Sequence, residues 1–199
     1  MANVNHSTLT GAFLHEPKDV AAAAAGQVYV ADGAGSGTMK YLPVGWGQYN
    51  HDGAQTITTG GILMQNDGAT STIETYLPRE IRGSASLWDT TNDKITPINA
   101  GDSYQVRIDL PITAESGSPT EIIVDLDIGG TGTGATNTIV TSYLGTGRSV
   151  PYQLQVAFPV FCGTTFVANG GQVYLTTDSG TVTITDPRIF ITMLSSGSI

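Results

Sequence analysis

A lone cysteine and three histidines are the first residues to weigh for nucleophilic or metal chemistry. Cys162 lies in VAFPVFCGTTF, an apolar strand-like run, and has no second cysteine in the chain to pair with, so a buried, inert thiol is expected. His6, His15 and His51 all fall in the first quarter of the chain, remote in sequence from Cys162 and without the close His or Cys spacing of a zinc site. No flanking motif suggests an activated thiol. Asp125 and Asp127 share one strand face, and Asp89, Asn92 and Asp93 crowd a turn. Grouped oxygens of this kind could suit a hard cation such as calcium weakly, although a solvated face and an ordinary turn are the expected account of them. Glu74, Glu80, Glu115 and Glu121 are scattered near loops, and no two of them form an evident acid/base pair. The expectation is therefore no catalytic, cofactor-binding or metal-ligating residue.

The glycine cluster Asp32-Gly33-Ala34-Gly35-Ser36-Gly37 follows a strand-like run, as a phosphate-binding turn would. A phosphate cradle needs a helix N-terminus beyond its glycines. TMKYLPVGWG supplies Pro43, Gly45 and Gly47 instead, with no helical period and no Gly-Lys-Ser/Thr, so the cluster reads as a hairpin turn. Trp46 in VGWGQY and Trp88 in SLWDTT are either filling for a core or interface, or an exposed platform for a carbohydrate.

The elements that must position these residues are strands. QVYV (27–30) and TMKYLPV (38–44) bracket the Gly-rich turn as a small hairpin. From Trp46 onward the strand-like segments are AQTITT, GGILMQ, SLWDTT, KITPI, SYQVRIDLPIT, TEIIVDLDIG, TNTIVTSYL, PYQLQVAFPVF, TTFVAN, GQVYLTT, GTVTIT and PRIFITML. Tyr104, Val106, Ile108 and Leu110 alternate with Gln105, Arg107 and Asp109, the period of two of a half-buried antiparallel strand. Ile122, Val124, Leu126 and Ile128 alternate with Asp125 and Asp127, and Val182 and Ile184 with Thr181, Thr183 and Thr185. Asn169-Gly170-Gly171 and Asp178-Ser179-Gly180 read as turns between consecutive strands. A dozen short strands without a convincing helix predict an all-β, antiparallel sandwich or barrel, and eight to ten strands in two sheets is the jelly-roll number.

Composition agrees with this reading. Of 199 residues only 13% are charged, against roughly 25% in an average soluble chain, and no apolar run approaches the ~20 residues of a membrane span. The net charge is −9 with eight Lys and Arg spread along the whole chain, which excludes the clustered cations that bind phosphate backbones. Neither nucleic acid nor membrane is an expected partner. The start of the chain lacks the basic segment, apolar core and small-residue cleavage site of a signal peptide, so the Met1 region is expected to be retained.

Residues 1–25 show no sustained period and few large apolar groups, the exceptions being Leu9, Phe13 and Leu14. They cannot build a core alone. Pro17 suits a first helical position and Gly26 a position just past a helix end, which brackets KDVAAAAA as a helix of about two turns, too short to persist in isolation. Such a segment is either an arm ordered by a neighbour, with Leu9, Phe13, Leu14 and Pro17 as its anchors, or plainly mobile. The expected organisation is an arm and hairpin over 1–45 and one β domain over 46–199.

Two stretches resemble bacteriophage virion structural proteins. NHSTLTGAFLHEPKDVAAAAAGQVYVADGAGSGTMKYLP resembles their leader, in which a His-Glu-Pro-Lys segment precedes an Ala-rich stretch and a Gly-rich hairpin. LPREIRGSASLWDTTNDKITPINAGDSYQVRIDLPIT is similar to the front strands of their jelly-roll domain, of tumour-necrosis-factor or C1q-like topology, and FVANGGQVYLTTDSGTVTITDPRIFITML to its last strands. The resemblance implies a homotrimer on the phage head surface, made in the host cytoplasm, either a capsid decoration (cement) protein or a head fibre. It would be bound through its N-terminal arm to the major capsid protein or another virion protein, without catalysis or cofactor. The competing implication is a receptor-binding jelly-roll module of a tail fibre that recognises host surface saccharide.

Overall fold

The computed structural model describes residues 22–31, 37–66, 72–129, 138–143 (as backbone) and 150–197. The chain divides into two compact units, Met1–Leu42 and Pro43–Ile199. In the first unit, β1 (Gln27–Ala31) and β2 (Gly37–Tyr41) pair antiparallel from Gln27↔Tyr41 to Ala31↔Gly37, so the expected hairpin forms. Its Gly-rich tip, 32–36, lies outside the described residues. So do Leu9, Phe13, Leu14 and Pro17 and the first half of the expected helix. Its described end, residues 22–26, is not α-helical: Gln27 N–H donates to the Ala24 carbonyl at 3.1 Å in a turn that leads into β1.

The second unit is a sandwich of two antiparallel sheets. One contains β3 (Gly45–Asn50), β4 (Ala54–Thr58), β8 (Ser103–Ser116), β11 (Tyr152–Phe161), β13 (Thr181–Thr185) and β14 (Arg188–Ser195). The other contains β5 (Ile62–Leu63), β6 (Trp88–Asp89), β7 (Lys94–Ile95), β9 (Glu121–Asp127), β10 (Thr138–Tyr143) and β12 (Gly171–Thr177). β8 is the spine of the first sheet, with β11 along one side and β14 then β13 along the other. β3 and β4 line up in turn on β14 and β13, so each couple is one long strand with a kink. The two kinks are tied together: Gly53 N–H donates to Asp186 Oδ1, and Asp186 N–H to the Gly53 carbonyl, both at 2.8 Å.

With each kinked couple counted as one strand, and β5 to β7 as one region against β12, the chain runs through eight strand positions. The first pairs with the eighth, the second with the seventh, the third with the sixth and the fourth with the fifth. That nesting is a long antiparallel ribbon rolled into two sheets, the jelly roll expected from the strand count. Alternation places the core where the sequence puts it. Tyr104, Val106, Ile108, Leu110 and Ile112 of β8 are buried against Ile122, Val124 and Leu126 of β9 and Val173 and Leu175 of β12. Trp88 is core filling, stacked at 6.4 Å on Tyr49, with its indole N–H donating to the Asn66 carbonyl.

Three expectations are corrected. TTFVAN is not a strand but a short helix, α1 (Thr164–Asn169). It carries the chain from β11 in one sheet to β12 in the other, where a helical turn makes the corner that an extended segment would overshoot, and β-branched composition yields to that geometry. Asn169-Gly170-Gly171 consequently ends a helix instead of joining two strands, with Gly170 at φ 75° and its N–H on the Phe166 carbonyl. GWGQYN forms β3, which was not apparent from its two glycines. Both are required: a Cβ at Gly45 would lie 2.5 Å from Pro78 N, and one at Gly47 would meet the Tyr49 ring. Finally, Asp127 does not sit on a solvated face; it is 1% exposed, with its Oδ1 accepting Gly129 N–H.

Candidate functional site

The outward side of the first sheet can be read as a lattice from its registers. Across β3, β14, β8 and β11, one row is Trp46, Thr192, Gln105 and Pro159, and the next is Gln48, Phe190, Arg107 and Ala157. Tyr76, from the loop preceding β6, stacks on Trp46 at 4.9 Å and 18°. Phe190 leans against Trp46 at 6.3 Å, and the Arg107 guanidinium lies 3.9 Å over the Phe190 ring. Arg107 Nη2 also bonds Asp109 Oδ2 at 3.1 Å, and Gln155 Nε2 donates to Asp109 Oδ1 at 2.8 Å. These contacts hold the guanidinium flat on the ring but leave Arg107 Nε buried without a hydrogen-bond partner. Together Trp46, Phe190, Arg107, Gln105, Thr192 and Ala157 line a shallow groove of about 380 Å³.

The apolar character continues to the end of the same sheet. Phe161 is 71% exposed, Val44 57% and Leu194 51%, where β11, β8 and β14 meet at Phe161↔Ser103↔Ser195. Aromatic groups with one arginine and few other charges are the composition of a protein interface centre, and a contiguous exposed patch of this kind marks a contact surface. The face follows from strand geometry. Phe190 stands between the buried Ile189 and Ile191, and Phe161 beside the buried Cys162, so each is an apolar residue on the side that period-two alternation reserves for water. An aromatic out of phase with its own strand was the signal in PRIFITML; the contribution of Tyr76 had none.

The chemical candidates of the sequence are used by the fold. Cys162 is fully buried, and burial, with the nearby Asp102 charge adding to it, pushes its thiol up to about 12, so it carries no thiolate near neutrality. Asp102 is the buried polar centre at this end. Its Oδ2 accepts Asn99 N–H and the Tyr104 hydroxyl, each at 2.8 Å, and its Oδ1 accepts Gly197 N–H at 2.9 Å. Burial raises the Tyr104 phenol far above its ordinary range. Nothing in the sequence distinguished Asp102 beyond its place after Gly101, yet it ties the 99–102 turn to the last described residues.

The grouped oxygens are likewise occupied. Asp89 Oδ1 accepts the N–H groups of Thr91 and Asn92, its Oδ2 accepts the Asn92 amide, and that amide bond leads the causes that hold its carboxyl below the usual range. Asp93 Oδ1 accepts Asn66 N–H, and Asp127 Oδ1 accepts Gly129 N–H. Glu74 accepts the Tyr49 hydroxyl, and Glu115 that of Tyr152. Burial raises the Tyr49 phenol strongly. Among the described residues no group of three or more His, Cys, Asp or Glu could hold a metal ion, and no helix is long and apolar enough to cross a membrane.

Comparison with known proteins returns structures alone. No family model matches the chain, and no curated protein matches its sequence. Among solved structures, it is similar to the PRD1 vertex protein P5, with TM-score 0.49, 10% identity, 85% of this chain and 83% of that one covered. It is also similar to the Eiger TNF from S. frugiperda, with TM-score 0.42, 9% identity, and 78% and 95% covered. The jelly-roll assignment rests on the strand order.

Proposed function

We propose that this chain is a structural protein of a phage particle, a capsid decoration (cement) or head-fibre protein that assembles as a homotrimer and performs no catalysis. The observation that carries the reading is the aromatic outer face of the first sheet, from Trp46, Tyr76 and Phe190 to Phe161 and Leu194. It is rich in exposed aromatic and aliphatic groups carried on paired strands, and identical copies arranged around a closed symmetry axis would bury it. The virion assignment rests on the sequence resemblance in the leader and the front and last strands.

In this reading residues 1–45 attach the trimer to the shell, with Leu9, Phe13, Leu14 and Pro17 as anchors, and residues 46–199 provide trimerisation and display. Three arms engaging together give durable attachment from weak single contacts through effective concentration. The β1–β2 hairpin fits this role, because an isolated two-stranded hairpin is marginal in water and gains from a partner.

Sedimentation of the purified chain tests the assembly: a trimer is expected, and a clean monomer at micromolar concentration overturns it. A chain beginning at Val44 should remain a folded trimer and lose binding to virions or empty shells. Copy number on the particle separates head from tail, since hundreds of copies mean shell and a few tens or fewer mean a tail-fibre receptor-binding module. Saccharide cleavage that disappears when a carboxylate is replaced would overturn the non-catalytic assignment.

A further inference from the structure

The end of the sandwich where β8, β11 and β14 meet carries two short segments that grip each other. β14 keeps its register on β8 as far as Met193↔Tyr104, shifts between Met193 and Ser195, and runs on as a strap over 194–197. The strap lies against the 99–102 turn by backbone alone at its closest point. A Cβ on Gly197 would fall 2.1 Å from the Ala100 carbonyl and 2.7 Å from Gly101 Cα, and Gly101 itself holds φ 92°. Only residues without side chains let the two segments touch there.

Beneath the contact sits Asp102, fully buried, with three donors on its two oxygens. Oδ1 holds the strap through Gly197 N–H, and Oδ2 holds the turn through Asn99 N–H and the sheet through the Tyr104 hydroxyl. The turn in its turn sits on the end of β11: Gly101 N–H donates to the Cys162 carbonyl at 2.7 Å, and Cys162 N–H to the Asp102 carbonyl at 2.9 Å. Burial changes abruptly along the strap. Ile189, Ile191 and Met193 are buried, whereas three of the four residues 194–197 are exposed.

We propose that the strap and the 99–102 turn form a latch that opens as one unit while both sheets stay folded, with the Asp102 carboxylate as its catch. Segments with little buried apolar surface open at a lower free energy than the core they lie on, and here such a segment is joined to the core through one charged group. Hydrogen bonds to a carboxylate are strong enough for a single side chain to hold both parts. Opening lets water replace Gly197 N–H on Oδ1, so no unpaired charge is left buried. Leu194 rides on the strap, and opening takes it out of the apolar end of the first sheet. That consequence rests on the assembly reading, whereas the latch itself does not.

The test is hydrogen exchange of the full chain, resolved to single amides. Asn99, Gly101, Cys162 and Gly197 should exchange through one common opening, about tenfold or more faster than Val106 and Ile191 in the core. Gly197→Ala, which puts a Cβ against the Ala100 carbonyl, should speed that group about tenfold again and leave Val106 and Ile191 unchanged. Asp102→Asn, with one oxygen for three donors, should act alike, and the double variant should gain less than the product of the two factors. Should Asp102→Asn fail to fold, Gly197→Ala decides alone. The latch is overturned if the four amides exchange only together with Val106 and Ile191, if they open at unrelated rates, if Gly197→Ala leaves them at parent rates, or if the two factors multiply in full. In sedimentation Gly197→Ala should move the assembled chain towards monomer, and unchanged assembly beside faster exchange overturns the link to Leu194. A parent that is monomeric from the outset counts against the assembly reading and not against the latch.

Discussion

The outer side of the first sheet carries two unlike halves on the same strands. Toward β4 and β13 it presents threonines: Thr56 Oγ1 lies 3.5 Å from Thr183 Oγ1, and Thr113 Oγ1 bonds Thr185 Oγ1 at 3.1 Å and the Thr183 carbonyl at 3.3 Å. Toward β3, β14 and β11 it presents Trp46, Phe190, Phe161 and Leu194. The inner sides of the two halves are alike, with Ile57, Val182 and Ile184 under one and Val156, Ile189 and Ile191 under the other, all buried. Fold alone therefore does not explain the difference. Short hydroxyl side chains that bond one another are content at a water boundary, whereas large aromatics there are costly in solvent and favourable only against a partner.

Charge placed on each half in turn should have opposite consequences. If identical copies assemble through this face as proposed, the double variant Phe161→Glu/Leu194→Glu should reduce the assembly to a monomer in sedimentation, because buried charge would then enter an apolar contact. Thr56→Glu/Thr183→Glu should leave assembly intact. Both should keep their thermal stability as isolated folds to within roughly 0.5 kcal/mol, as surface substitutions do. If the threonine pair disrupts assembly and the aromatic pair does not, the two halves have been assigned the wrong way round.

The next effect lies beneath both halves. Ile108 of β8 is fully buried, paired with Val156 on one side and Ile189 on the other. Ile108→Ala should cost about 2–5 kcal/mol in denaturant unfolding, with the assembly state of the parent retained wherever the chain is folded. Assembly lost before unfolding would show that the outer face depends on core packing more closely than the comparison allows.

Cys162 sharpens the same contrast within one dipeptide, since Phe161 points out and Cys162 points in. Replacement by Ser should cost about 1–3 kcal/mol, because a hydroxyl enters an apolar site. With its thiol pushed up to about 12, Cys162 should resist thiol reagents at pH 8 in the folded chain and react only on unfolding. Rapid labelling of the native protein would contradict the burial of this strand end.

Much of this was legible in the sequence, and the reason is period two. Strands buried on one side, such as Tyr104 to Leu110, announce both their type and their inner face. Elements whose shape depends on distant partners did not. β3 needs its glycines for Pro78 and Tyr49, and α1 exists because the chain changes sheets between Phe161 and Gly171. The expected strands in GGILMQ, SLWDTT and KITPI shrink to two residues each, since backbone groups there turn to side chains, as when Ser86 Oγ both accepts from Trp88 N–H and donates to the Trp88 carbonyl. The outer face was half legible: Phe161 and Phe190 stand out of phase with their own strands, while the Trp46–Tyr76 stack joins segments about thirty residues apart that no local pattern links.

The smallest expected effect belongs to the threonine end, where the β8–β9 and β12–β13 turns meet. Gly180 has φ 57° and Gly117 φ 75°, and a Cβ on Gly180 would lie 2.0 Å from the Ser116 carbonyl, so the two tips touch through glycine backbone. Asp178 fastens them: its carboxylate accepts the Thr120 hydroxyl at 2.6 Å and the N–H groups of Thr120 and Glu121 at 2.9 and 3.0 Å. The Thr120 hydroxyl foremost, then the backbone donors, hold its pKa at about 2, below the ordinary 3.8. A depressed carboxyl stabilises the fold fully above its unfolded value and loses that contribution as pH falls through the folded one, here between about pH 4 and pH 2. Asp178→Asn should thus lower the melting temperature slightly at neutral pH, with the gap to the parent constant above about pH 4 and closing towards pH 2. Exposure to solvent keeps the effect small, and the proposed assembly should be unaffected, because the Asp178 hydrogen bonds run between turns of the same chain. A gap that stays constant down to pH 2 would show that the turn needs an acceptor at Asp178 but not its charge. A loss of assembly in the same variant would mean that the threonine half also meets a neighbour.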